Sequence, residues 1–388
     1  MVVMPRVATR DARLPEPLAL WVDALLRAYA QILFTPSRRV GALLLLATLL
    51  VPGPALFGLL ALVVATAAAL GLGYAPVSVR AGLFGYNALL VGLAAGALFE
   101  ASPLLVALVV VFALLAVLAT AAVNSALGVT WNLPSLTLPF LLVGWLLLAV
   151  AHRLGGLGLP GEASPDLVSG WLPELLAAAL KGLGAIFFQP RADVGLVVLL
   201  TLLVVSRIAV LLAAVGAAVA LLVSRVLLPA SDPGLEVALG LNLPLVAVAM
   251  GGIWFVPRPA AFALAAVAAV AAAALAVGGQ GLLAVLGLPL WILPFNLTVI
   301  PLLYAMRQRA RDAHPKAVDT ALGTPEENLH HFLTRSARFG HLYPYRLALP
   351  FRGRWVCTQG VDGPHTHQGL WRHGWDFEVQ APDGRLHK

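Results

Sequence analysis

Charge is the scarcest property of this 388-residue chain: Asp, Glu, Lys and Arg together make up 11% of it, against roughly 25% in an ordinary soluble domain. A soluble enzyme of this length needs a charged surface, so that class is excluded, and a content of 60% hydrophobic residues places the chain in a bilayer. Lysine occurs only at Lys181, Lys316 and Lys388, and the net charge of +7 is carried by arginine. No basic face suited to nucleic acid is visible; arginines flanking apolar segments orient spans instead. The single cysteine, Cys357, excludes an intrachain disulfide, and there is no CxxC or clustered Cys/His zinc motif. Residues 1–16 are polar and interrupted by Pro5 and Pro15, so they lack the apolar core of a signal peptide, and the first span is expected to act as its own insertion signal.

What charge there is falls unevenly. Of 43 charged residues, nine lie in 1–40, fourteen in 41–306 and twenty in 307–388, and eight of the nine histidines share that last stretch. The expected organisation is an N-terminal interfacial segment (1–39), a first membrane region (40–153), a linker with an interfacial helix (154–193), a second membrane region (194–306) and a polar tail (307–388). Apolar runs at 40–51, 54–72, 83–98, 103–123 and 136–151 form one group, and 194–206, 208–223, 237–255, 259–278 and 281–305 a second. A full span needs ~20 residues. The shorter runs, such as the one ending at Val51-Pro52-Gly53-Pro54, predict tilted, broken or re-entrant helices, tolerated where protein or a watery cavity surrounds them.

The two groups repeat each other. Gln31-Ile32-Leu33-Phe34-Thr35-Pro36 with Gly41 aligns at an offset of 154 with Ala185-Ile186-Phe187-Phe188-Gln189-Pro190 and Gly195. At an offset of 155, Gly85-Tyr86-Asn87 aligns with Gly240-Leu241-Asn242, and Leu133-Pro134-Ser135-Leu136-Thr137-Leu138-Pro139-Phe140 with Leu288-Pro289-Leu290-Trp291-Ile292-Leu293-Pro294-Phe295. Three patches at one near-constant offset indicate internal duplication. Arg207 then falls opposite Gly53, in a turn between helices. Five spans per half, an odd number, make the halves inverted repeats. Both termini then share one side, which Arg6, Arg10, Arg13, Arg27, Arg307, Arg309 and Arg311 make the cytoplasmic one.

Inverted repeats carry their substrate path at the interface between halves, lined by broken helices. The polar residues on the repeated motifs are few and neutral: Gln31, Asn87, Thr137, Gln189 and Asn242. No chain of ionisable residues crosses the apolar segments, as a proton relay or ion-coupled pump requires. The pattern therefore points to a neutral polar solute moving down its gradient. Carbonyls freed at helix breaks and a Gln amide can accept from the solute's N–H groups, and Phe rings can sandwich a flat molecule. Asn87 and Asn242 read equally well as scaffold groups bonding a re-entrant helix. The Leu-Pro motifs read as helix breaks, with Phe140 and Phe295 as packing.

These motifs resemble the urea transporter family. Gln31 to Phe34, Gly-Leu-Phe-Gly-Tyr-Asn-Ala-Leu-Leu-Val-Gly-Leu at 82–93, Leu133 to Phe140 and their second-half echoes carry the resemblance, over residues 20–306 or so. It implies an all-α integral membrane protein of about ten transmembrane helices in two inverted five-helix repeats. It also implies a homotrimer with one pore per protomer, through which urea passes by facilitated diffusion. The substrate path would be lined by Gln31, Phe34, Tyr86, Leu90 and Thr137 from the first half and Phe188 and Leu245 from the second, with Asp232 as a candidate for a nearby acid. The second half departs from the family pattern: Ala185 replaces a Gln or Glu, Leu241 an aromatic and Ile292 a Thr. Each lost hydrogen-bonding group costs a dehydrated solute ~1–3 kcal/mol, which leaves ammonia or water as alternative permeants.

The tail reads as an amphipathic exit segment to about residue 340, then a small β-rich segment, with Leu349 to Gly353 and Val356 to Gly360 as a hairpin. His367-Gln368-Gly369-Leu370-Trp371-Arg372-His373-Gly374-Trp375-Asp376-Phe377 resembles the opening of an M23 zinc metallopeptidase domain. That resemblance implies zinc on His367 and Asp376, donors of a suitable kind. The family's later His-x-His element has no counterpart in this sequence, so the tail is expected to be an incomplete peptidase-like module and the chain not an enzyme. Transport itself needs no cofactor. A peptidase of this kind must face outside the cytoplasm, whereas the arginines place the tail inside. The rival reading is a membrane-anchored zinc metallopeptidase whose spans are anchor, yet an anchor needs neither two halves nor matched breaks. The peptidase resemblance and the Arg-over-Lys bias point to a bacterial inner membrane.

Overall fold

The computed structural model describes residues 15–160, 165–228, 233–309, 313–318, 323–334, 355–380 and 386–387. Two compact units divide the chain, residues 1–333 and 334–388.

The first unit is helical: among its described residues are fourteen α-helices, α1 Glu16–Gln31, α2 Arg38–Leu49, α3 Pro52–Gly71, α4 Pro76–Arg80, α5 Tyr86–Leu98, α6 Pro103–Val123, α7 Leu138–Leu154, α8 Glu174–Ala185, α9 Ala192–Val205, α10 Arg207–Leu222, α11 Pro233–Val248, α12 Pro259–Val285, α13 Leu293–Met306 and α14 Pro325–Leu333. Turns of π-helix extend α6, α10 and α11 to Val129, Leu227 and Ile253. Five helices are then long and apolar enough to cross a membrane: α3, α6, α10, α11 and α12. The apolar helices α5, α7, α9 and α13 have 13 to 17 residues. At 1.5 Å per residue the shortest covers only about 20 Å of a ~30 Å hydrocarbon layer.

The helix boundaries follow local chemistry. Proline stands at the first or second position of α3, α6, α7, α12 and α13, where its missing N–H costs nothing. Ser102 and Ser206 cap α6 and α10, accepting from Leu105 N at 3.2 Å and Ala209 N at 2.8 Å. Arg207 accordingly sits at the first residue of α10, at a break between helices. The apolar run 281–305 is not one element: α12 continues to Val285, Gly287 turns the chain at φ 64°, and α13 begins only at Leu293. Hydropathy is blind to that break because Leu286, Leu288 and Leu290 are as apolar as the helices they separate.

The same pairings recur in both halves. α1 packs on α2 and α8 on α9; α3 on α5 and α10 on α11; α6 on α7 and α12 on α13. At the α1–α2 crossing a Cβ on Gly41 would lie 1.8 Å from the Leu26 carbonyl oxygen, and on Gly195 it would lie 1.8 Å from that of Leu180. Only glycine fits either crossing. The halves meet where α2 packs on α9, where Gln189 Nε2 donates to the Thr48 carbonyl at 2.9 Å, and where Trp145 Nε1 donates to the Pro289 carbonyl at 3.0 Å.

Burial follows the pattern of a bilayer protein. α12 turns a stripe of alanines inward, Ala261, Ala265, Ala268, Ala272 and Ala276, which lets neighbouring backbones approach. Its opposite face exposes Val267 and Val270, and α3, α10 and α7 likewise expose Leu56, Leu211 and Leu142. So much outward apolar surface fits lipid rather than water.

Residues after α13 return to the helical unit. Lys316 and Val318 pair with Val256 and Trp254 (Val256 N to Lys316 O, 2.9 Å; Val318 N to Trp254 O, 3.0 Å). Asn328 of α14, 2% exposed, donates to the Gly252 carbonyl at 2.8 Å. The second unit contains strands β1 Trp355–Gln359, β2 Asp376–Gln380 and β3 Leu386–His387, antiparallel in the order β1-β2-β3. β1 lies against β2, and residues 349–353, the other arm of the expected hairpin, lie outside the described residues.

Candidate functional site

Two left-handed residues in each half build the site. Phe34 and Phe188 take φ of 61° and 60°, and Leu136 and Trp291 take 46° and 43°. Such a backbone costs a non-glycine residue about 1–3 kcal/mol, so the surrounding packing must hold it. At the first pair, α1 and α8 end and the chain reverses through Thr35-Pro36 and Gln189-Pro190. At the second, the extended Leu-Pro segment swings into α7 and α13. These reversals aim Phe34, Phe188 and Trp291 at one cavity of about 600 Å³.

That cavity is where the sequence-derived candidates meet. Gln31, Phe34, Tyr86, Leu90, Thr137, Phe188 and Leu245 all line it, as do Ala185, Leu241 and Ile292, the three departures in the second half. Asp232 lies outside the described residues. Among the described lining residues none carries a charge. The ionic network of Asp23 with Arg27, Arg38 and Arg80 belongs to α1, α2 and α4 and stays out of the lining.

Aromatic rings wall the cavity at two places. Phe34 lies 6.1 Å from Phe295 and meets Trp254 edge-on at 5.7 Å. Phe188 meets Phe140 at 5.5 Å and Trp291 at 5.6 Å, and Phe140 lies 5.2 Å from Trp291. Each reversal Phe thus packs on the Pro-Phe ring of the other half. Phe140 and Phe295, expected as packing, are buried, and they also line the cavity.

The polar groups divide by task. Gln31 Nε2 donates to the Ala81 carbonyl at 3.0 Å, and no donor among the described residues meets its Oε1. That oxygen is the acceptor the first half can offer to a solute N–H. The Tyr86 hydroxyl donates to the Leu136 carbonyl and so braces the left-handed turn, while its ring faces the cavity. Asn87 and Asn242 are fully buried and act as scaffold. Their Oδ1 atoms accept from Phe140 N at 3.3 Å and Phe295 N at 2.9 Å. Those N–H groups belong to the unpaired first turns of α7 and α13, and in an apolar interior each needs an acceptor from a neighbouring helix.

Residues 22–307, which hold this cavity, match the model of the urea transporter family. The chain belongs to the urea transporter family. No curated protein matches it. The match takes in every described lining residue of the cavity except Gly323 and ends before the second unit.

The sequence reading missed Trp254, Trp291 and Asn296. Trp291 stands opposite Leu136 in the repeat, and an aromatic at a repeated helix break was a usable signal. Asn296 stands opposite Leu141; an amide on one copy only, beside a Pro-Phe pair, was another. Trp254 carried none, because its approach to Phe34 depends on how α11 ends.

In the second unit His367 and Asp376 do come together, with Nε2 3.1 Å from Oδ1. His367 Nδ1 lies 2.8 Å from the Gly360 carbonyl oxygen, and Gln359 Nε2 donates to Asp376 Oδ2 at 3.0 Å. Among the described residues no three His, Cys, Asp or Glu side chains converge as a metal site. A protein zinc centre needs at least three such ligands, so this pair by itself does not fit one.

Proposed function

We propose that the chain conducts urea by facilitated diffusion through the cavity between its two halves. Membership of the urea transporter family identifies the solute. The observation that carries the mechanism is the lining, which has aromatic faces, few polar groups and no charge among its described residues. A charged solute entering it would lose hydration without compensation. A flat neutral amide can slide between ring faces, its N–H groups bonding to Gln31 Oε1 and to carbonyls freed at the helix breaks. With few polar contacts, binding stays weak enough for release.

In this reading the halves insert in opposite directions as two five-helix repeats, each protomer of a homotrimer holds its own pore, and both termini face the cytoplasm of a bacterial inner membrane. The recurring helix pairings and paired left-handed residues support the duplication. Ala185, Leu241 and Ile292 offer no hydrogen bonds from their side chains where the first half has Gln31, Tyr86 and Thr137. One side of the path therefore holds urea less well, and ammonia or water is the second reading that this lining favours. Swelling of proteoliposomes containing the full chain tests the first reading: urea influx above protein-free vesicles is expected, and its absence with normally assembled protein refutes urea conduction.

A further inference from the structure

Beside the cavity the two halves differ in a way the repeat makes visible. Thr137 stands opposite Ile292, and Leu141 opposite Asn296. The second half has lost a hydroxyl and holds, one turn along α13, an amide that the first half lacks. Asn296 is 1% exposed. Two backbone groups set its orientation: Nδ2 donates to the Ile292 carbonyl at 2.9 Å, and Oδ1 accepts from Thr137 N at 3.3 Å. Flipping the amide would set oxygen against carbonyl and NH₂ against N–H, so the assignment is unambiguous. The other Nδ2 proton goes to Thr137 Oγ1 at 2.8 Å.

A threonine hydroxyl has one proton and two lone pairs. Here Asn296 occupies a lone pair, and the proton has no acceptor among the described residues. Thr137 lines the cavity. A hydroxyl that already accepts a hydrogen bond is polarised into a stronger donor.

We propose that Asn296 is a positioning residue that holds the Thr137 hydroxyl as a donor toward the cavity, so that the path selects a solute with a strong carbonyl-type acceptor. The inference rests on the reading of the cavity as the urea path. It explains how one hydroxyl serves where Ile292 supplies none: the second half contributes orientation in place of a second donor.

Urea and thiourea share a shape but differ in acceptor strength, sulfur being the weaker. Their influx into proteoliposomes holding the full chain, followed by light scattering, therefore reads the donor. The wild type should pass urea faster than thiourea, and Thr137→Ser should keep that ratio. Thr137→Val should lower urea influx about fivefold, the worth of one modest hydrogen bond, and leave thiourea influx nearly unchanged. Asn296→Leu, which installs the residue the first half carries, should lower the urea-to-thiourea ratio similarly, with Asn296→Ala in its place should the leucine variant fail to assemble. Combined with Thr137→Val, either should lower the ratio no further, because both remove one interaction. A purely structural role for Asn296 would act independently of the hydroxyl and multiply the two losses, and that result overturns the proposal. A ratio kept by Thr137→Val overturns it as well, whatever the Asn296 variants do. A wild type that passes no urea removes the pathway and this inference with it; one that passes urea while the Asn296 variants keep its ratio removes this inference alone.

Discussion

Asn87 and Asn242 are equivalent in sequence, yet replacing them with alanine should not have equal effects. Asn242 accepts from Phe295 N at 2.9 Å and donates to the Trp291 and Ala238 carbonyls at 2.7 and 2.8 Å. The Ala238 carbonyl keeps its helical partner in the variant, but the buried Phe295 N–H and the part-buried Trp291 C=O lose theirs. At about 1–3 kcal/mol for each orphaned group, Asn242→Ala should cost about 2–6 kcal/mol. Asn87 accepts from Phe140 N at 3.3 Å and donates to the Thr120 hydroxyl at 3.2 Å. Thr120 can turn its hydroxyl to an i−4 carbonyl, so only one backbone group is orphaned and the cost should be about 1–3 kcal/mol. A whole domain is stable by only about 5–15 kcal/mol, so the difference is large enough to measure. Heating both variants in detergent and measuring the fraction that still elutes as folded protein should show Asn242→Ala failing at the lower temperature. Equal midpoints, or Asn87→Ala failing first, would refute the argument that these amides act as caps for the short helices.

Restoring the lost partners, Ala185→Gln with Ile292→Thr, should raise urea influx by up to about thirtyfold if each of the two regained hydrogen bonds is worth ~1 kcal/mol; unchanged influx in proteoliposomes would count against the reading of the second half. Gly41→Ala should abolish folded protein on size-exclusion chromatography, since its Cβ would fall 1.8 Å from the Leu26 carbonyl oxygen, whereas Gly53→Ala, with open space around it, should be tolerated. In the linker between α7 and α8, burial alone would raise the Asp166 carboxyl pKa, but N–H donors from Ala192, Val168 and Ser169 outweigh it and hold the group below the ordinary range. A depressed folded pKa means that this stabilisation is present above the unfolded value of about 3.9 and is lost as pH falls through the folded one. Asp166→Ala should therefore be less heat-stable than wild type at neutral pH, and the gap should narrow below about pH 4; a gap independent of pH would refute the assignment.

Much of the site could be read from residues alone because duplication is a property of the sequence. The offset of 154–155 picked out Phe34 with Phe188, Asn87 with Asn242 and Thr137 with Ile292 before any helix was placed, and the first two pairs take matched conformations or matched bonds. Where the copies diverge, periodicity had nothing to compare. Asn296 stands on one copy only, and its meaning lies in a bond to Thr137 that spans 159 residues. The 281–305 run misled because hydropathy averages over a break made by backbone conformation at Gly287. In the tail, local pattern located β1, whereas its pairing with β2 is a long-range choice that no local pattern encodes.

By itself, then, the sequence determined the membrane setting, most of the helix breaks and the uncharged character of the residues that line the cavity, since these depend on which residues are present and at what spacing. Tertiary structure alone decided which rings face one another across the cavity, that the paired asparagines cap helices instead of meeting solute, and that an amide of the second half holds the Thr137 hydroxyl. Each of those depends on an atom contributed by the other half or a distant helix, and no local pattern encodes that distance.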